Sequence, residues 1–199
     1  MTILDEILDS TRNLVVRRKR ERSISSLEAD ARDQSAALSL HRALHRDHTG
    51  GDLSFICESK RKSPSKGIIR DPYSAADNAA RYADAGASAL SVLTEPDFFG
   101  GSPADLSEAR SAAPHVPILR KDFVVDAYQL FEARAWGADA VLLIVAALDP
   151  LHMADLLQAA SELGLSTLVE LHDESELDRV DVDLLTVAGV NNRDLRTFE

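Results

Sequence analysis

The sequence predicts an α/β fold of the (β/α)8-barrel type, present as about six βα units behind an N-terminal helical extension. Short apolar, β-branched runs recur along the chain, and amphipathic stretches of helical period lie between them, several ending in glycine. Continuous apolar strands that alternate with such helices imply a parallel sheet covered by helices. A third observation separates barrel from doubly wound sheet: no GxGxxG or GxxxxGK[ST] follows any of the runs, so the dinucleotide and P-loop readings lose their main support.

The elements follow in order. Ile3, Leu4, Ile7, Leu8, Leu14 and Val15 recur at helical spacing, and a second amphipathic stretch runs from about Leu27 to Leu44. Residues 1–48 are therefore read as a helical extension packed on the barrel. The cations of "VRRKRER" between the two helices are read as a solvated helix end rather than a nucleic-acid patch. His41, His45 and His48, without a nearby thiolate, are read as surface histidines rather than a metal site. "HTGGDLSF" breaks the helix. From residue 49 to 199 the strands are placed at "LSFICE", "ALSVLT", "VPILRK", "DAVLLIV", "STLVEL" and "LLTVAGV". The helices between them fall on "SAADNAARYADAG", "PADLSEARSAA", "DAYQLFEARAWG" and "DPLHMADLLQAASELG".

Composition bounds the function. The chain has 199 residues, 45% of them hydrophobic, and a net charge of -11. That balance argues against nucleic-acid or anionic-membrane binding, which needs a net basic face. Cys57 is the one cysteine, read as a small buried hydrophobe, and no disulfide framework is available. The longest apolar run, "AVLLIVAAL", is far short of the roughly 20 residues of a membrane span. A cytoplasmic protein is expected.

Polar residues gather where the strands end, and in a β/α barrel that is the active face. Glu58 and Lys60 end the first strand, two apart and so on one side of an extended chain. The third ends in Lys121 and Phe123, the fifth in Glu170 and His172, and the sixth in Asn191 and Arg193. Each has a plain structural alternative, such as a Glu58–Lys60 pair within the barrel or a surface Arg193. Their recurrence at strand ends points instead to an anionic substrate handled by acid and base catalysis.

"ESKRKSPSKG", "VLTEPDFFGGS", "PILRKDFVVDAYQLFEARAWGADAVLLI", "LVELHDESEL" and "GVNNRDLRTFE" resemble, in order, the strand-end motifs of the indole-3-glycerol-phosphate synthase family. The resemblance runs from about Leu53 to Glu199. It implies a barrel that converts 1-(2-carboxyphenylamino)-1-deoxyribulose 5-phosphate into indole-3-glycerol phosphate, carbon dioxide and water, in tryptophan biosynthesis and without metal or cofactor. Carried over motif by motif, it implies catalytic roles for Glu58, Lys60, Lys121, Glu170 and Asn191, and substrate contacts by Ser63, Phe99, Phe123 and Arg193. Two other readings stand beside it: another phosphosugar barrel such as phosphoribosylanthranilate isomerase, which needs a Cys and Asp pair, and a non-catalytic remnant.

Two departures carry expectations. A full barrel takes about 250 residues, and this chain ends just after the sixth strand, so a partial barrel lacking its last two units is expected. Its open edges then invite association. "ESELDRVDVDLLTVAG" also lacks the Gly-Ala join seen in "DAGASAL" and "AWGADAV", which predicts a shortened fifth helix.

Overall fold

A computed structural model of the chain describes residues 2–45 and 53–191. Helix α1 (Ile3–Glu21) opens on a reciprocal cap: Thr2 Oγ1 accepts from the Asp5 amide at 3.2 Å, and the Asp5 carboxylate accepts from the Thr2 amide at 2.7 Å. Ser23 caps α2 (Ile24–Asp33) in the same position. The second predicted helix does not continue from there to Leu44. Residues 34–39 run without helix and only α3 (Leu40–Leu44) resumes it.

The reason lies in tertiary hydrogen bonds that displace local ones. The Leu38 amide donates to Asp139 Oδ1 at 2.8 Å, and the Leu40 amide donates to Ser166 Oγ at 3.2 Å. Asp139 also accepts from the Ile118 amide and is ion-paired with Arg110. The segment is thus a strap tied across the base of the sheet, and an alanine-rich helical propensity yields to it.

The strands and helices of the main body then alternate. They are β1 (Ile56–Ser59), a small hairpin of β2 (Lys62–Ser63) and β3 (Gly67–Ile68), α4 (Ala75–Asp84), β4 (Ala89–Leu93), α5 (Pro103–Ala112), β5 (Ile118–Lys121), α6 (Tyr128–Ala135), β6 (Ala140–Ile144), α7 (Pro150–Glu162), β7 (Ser166–Leu171) and β8 (Val187–Val190). Among the described residues six strands form one parallel sheet in the order β1-β4-β5-β6-β7-β8, an incomplete β/α barrel. The predicted strands are all present, the first beginning later than expected at Ile56. Between β7 and β8 the chain makes 3₁₀ turns at Glu174–Arg179 and Val182–Leu184, the shortened link that the missing Gly-Ala join predicts. No described helix is long and apolar enough to cross a membrane.

Helix ends follow the sequence signals. Ser74, Ser102 and Asp149 cap α4, α5 and α7, and Pro103 and Pro150 occupy first-turn positions where their missing N–H costs nothing. Gly137 closes α6 at φ +91°, and there the Ala138 amide reaches back to the Ala133 carbonyl at 2.9 Å.

Strand alternation sorts the side chains into two layers. Leu90, Val92, Ile118, Val141, Leu143 and Val169 face outward and pack with helix residues such as Leu106, Leu130 and Leu156. Cys57, half-buried, belongs to this outer layer. Ala89, Leu119, Ala140, Leu142 and Ile144 face inward, and Leu40 of α3 packs against them, wholly buried. Residues one apart on a strand therefore have opposite fates.

Of the cations expected at a solvated helix end, Arg17, Lys19 and Arg20 are exposed, whereas Arg18 is not. Arg18 is 15% exposed, lies 5.3 Å from the Trp136 ring and pairs with Glu132 at 3.3 Å; Lys19 reaches Asp126 at 2.7 Å. They fasten α1 to α6. His41 and His45 stack on each other at 5.4 Å, and His48 lies outside the described residues.

Candidate active site

The inward set of each strand ends in polar groups at one mouth of the sheet. On β5, Leu119 points inward, Arg120 outward and Lys121 inward again. On β1, Ile56 is inward, Cys57 outward and Glu58 inward, and Lys60 continues that side. β7 repeats the rule with Leu168 and Glu170. A cavity of about 680 Å³ opens there. Its lining includes Glu58, Lys60, Ser63, Phe99, Lys121, Phe123, Glu170 and Asn191. The ninth residue expected at the site, Arg193, lies outside the described residues.

The charges are arranged as pairs. Lys121 Nζ stands 3.5 Å from Glu170 Oε2, while Asn191 Nδ2 donates to Glu170 Oε1 at 2.9 Å. Asn191 is itself fixed, because its amide donates to the Leu171 carbonyl at 2.8 Å. Lys60 Nζ donates to Glu58 Oε1 at 2.5 Å on the other side of the mouth. Ser63 is buried, and its hydroxyl oxygen accepts from the Lys66 amide at 3.2 Å, leaving its own proton to give. Lys62 instead donates to the Asp97 carbonyl, so it braces a loop. The rings of Phe99 and Phe123 lie 6.1 Å apart at 35°, forming an apolar wall. Such a site offers one ammonium and one carboxylate within reach of the same atom, beside a surface for a flat ring.

The turn after β4 positions Phe99. Glu95 is 2% exposed, and its carboxylate accepts from the amides of Asp97, Phe98 and Phe99 at 3.0, 2.7 and 3.0 Å. The same turn passes so close to β4 that a Cβ on Gly101 would stand 2.2 Å from the Leu93 carbonyl oxygen. Burial pushes the Glu95 carboxyl above its ordinary 4.5, against the pull of its three N–H donors. A carboxyl raised on folding binds more protons in the native state, so its share of stability is present at low pH and falls as pH rises from about 4.5 through the elevated value. Urea melts of wild type and Glu95→Gln should show the stability difference between them shifting against wild type across that window. A difference flat with pH would contradict it.

Comparison with known proteins now bears on this arrangement. The family model described as indole-3-glycerol phosphate synthase matches residues 4–199. The chain belongs to the indole-3-glycerol phosphate synthase family. It is 53% identical to the synthase of Salinibacter ruber over 200 residues, covering all of this chain and 73% of that protein. It is 48% identical to that of Burkholderia lata and 46% to that of Aromatoleum aromaticum, covering in each case 99% of this chain and 75% of the relative. The chain therefore spans about three quarters of the length of these relatives.

Seen as a synthase-family site, the cavity also holds residues that sequence reasoning passed over. Leu4 and Ile7 reach it from α1, and Leu93, Leu142 and Ile144 line its floor and wall. The last three were accessible from strand parity alone. The first two carried only a helical period, which shows that α1 has an apolar stripe but not what the stripe covers.

Proposed function

We propose that this chain carries out the family's reaction on 1-(2-carboxyphenylamino)-1-deoxyribulose 5-phosphate. The observation that carries the reading is the Lys121–Glu170 pair, 3.5 Å apart, beside the Phe99–Phe123 wall in one cavity. The anthranilate ring lies against the two phenyl rings. The ring carbon that bears the carboxylate attacks the ketone carbon, and Lys121 gives a proton to the oxygen as its charge develops. Loss of carbon dioxide from that ring carbon returns its electron pair and restores the aromatic system. The new hydroxyl then leaves as water, which takes one proton from an acid while a base removes another from the carbon beside nitrogen. Glu170, oriented by Asn191, and the Glu58–Lys60 pair supply that acid and base. Lys60 and Arg193 are the cations for the substrate carboxylate, and Ser63 donates a hydrogen bond to the substrate.

The isomerase reading is disfavoured by Cys57, which packs in the outer layer behind the sheet instead of at the mouth. Among the described residues β1 and β8 are each hydrogen-bonded to a single neighbour, which supports the further reading that these edges take a partner.

The test is indole fluorescence on mixing the purified chain with the substrate, alone and with a polypeptide carrying the C-terminal quarter of the Salinibacter ruber relative. Indole emission is expected to grow in at least one mixture. Silence in both, from a chain shown to be folded by circular dichroism, overturns the reading.

A further inference from the structure

The proposed chemistry leaves one large buried charge unused. Arg120 sits between Leu119 and Lys121, points away from the cavity and is wholly buried between the sheet and α6. Its Nε donates to Thr94 Oγ1 at 3.1 Å and to Asp122 Oδ2 at 3.2 Å. Nη1 donates to the Gln129 carbonyl at 2.7 Å and Glu132 Oε2 at 3.3 Å, and Nη2 to Asp122 Oδ2 at 2.8 Å and Glu132 Oε2 at 3.2 Å. The guanidinium lies 4.4 Å from the Trp136 ring. A guanidinium with all its edges used and one face covered has a single available pose, and whatever it holds is held with it.

Two of its partners lead straight to the cavity. Asp122 Oδ2 is occupied by Arg120 and by the Thr94 hydroxyl at 2.6 Å, which turns Oδ1 to the Phe123 amide at 2.8 Å. Gln129, whose carbonyl Arg120 grips, sends its side chain back along the β5–α6 loop. Its Nε2 donates to the Phe123 carbonyl at 3.0 Å, and its Oε1 accepts from the Val125 amide at 2.8 Å. The peptide groups on both sides of Phe123 are thus tied to side chains that the same guanidinium fixes.

We propose that Arg120 is a positioning residue for the active site: acting through Asp122 and Gln129, it sets the backbone of Phe123 and so the wall that receives the aromatic ring of the substrate. The inference rests on the proposed function only in naming what the wall receives. Arg18 joins the same cluster at Glu132, so α1, which places Leu4 and Ile7 in the cavity, is registered to the wall by one set of contacts.

Two variants test this, Arg120→Lys, which keeps a buried cation, and Gln129→Met, which leaves the ion cluster intact and cuts only the bonds nearest Phe123. The Phe123 and Val125 amides in Arg120→Lys, and the Val125 amide in Gln129→Met, are expected to exchange hydrogen at least about tenfold faster than in wild type, with the Leu143 amide as the unchanged reference. KM for the carboxyphenylamino-deoxyribulose phosphate is expected to rise about tenfold with kcat within about threefold, the signature of lost substrate positioning. Unchanged exchange at these loop amides, or a loss confined to kcat, overturns the inference. Should Arg120→Lys fail to fold, Gln129→Met decides alone. Absence of turnover from the wild-type chain both alone and with the complementing polypeptide refutes the proposed function, and the amide exchange then decides this inference by itself.

Discussion

Lys121→Ala is expected to lower kcat by about 10²–10⁴-fold, the usual worth of a positioned proton donor, while leaving KM within a few-fold. The split follows from geometry. Lys121 lies on the inward side of β5 with its ammonium 3.5 Å from Glu170, whereas the contact area for the substrate ring comes from Phe99 and Phe123. Removing the ammonium takes away the proton that the developing alkoxide needs, yet the wall stays. Glu170 keeps its bond from Asn191, so the carboxylate is not left unsatisfied and the variant should fold. Steady-state kinetics on the active form of the protein check this. Wild-type turnover in the variant would remove Lys121 from the acid's role, and a rise in KM alone would make it a binding group.

The second large effect is on stability. Gly101→Ala should cost about 3 kcal/mol or more, because the added carbon meets the backbone oxygen of Leu93 at 2.2 Å and its carbon at 2.6 Å, with no flexible side chain to move aside. For a chain of this size that corresponds to a fall in Tm of about 6–12 °C. Gly164→Ala serves as the control: its φ of +69° strains an L-residue, but nothing lies within 4 Å of the new carbon. That substitution should cost only about 1–2 kcal/mol. Equal shifts in the two variants, read by thermal melts, would show that the close approach at the β4 turn is not what Gly101 serves.

How far the site was legible in the sequence depends on which physical signal each residue carries. Glu58, Lys121 and Glu170 were legible because a strand alternates with period two, and a polar side chain on the inward side at a strand's end has few places to go. The β5 motif shows the limit of the same rule. Parity separates Lys121 from Arg120 and turns the arginine outward, into the layer between sheet and helices, but it does not show how a charge is accommodated there; the structure buries it among Asp122, Glu132 and Trp136. Charges are read as solvated by default, and only the packed structure shows which ones have found enough partners to be buried. The strap at 34–39 failed for a related reason. Its alanines favour helix locally, while Asp139 and Ser166, about a hundred or more residues away, claim its amides. Glu95 was in view within "VLTEPDFFGG", yet nothing local shows that its carboxylate turns back to collect three amides.

Trp136 is the single tryptophan of the chain, and it lies beside both Arg120 and Arg18. Its emission is therefore a one-site optical gauge of the seam between α1 and α6. Detachment of the N-terminal helix can be followed separately from melting of the sheet, which circular dichroism records. The same indole forms the whole tryptophan background of any assay that watches a new indole appear, so a change in that background during turnover would carry information about the seam.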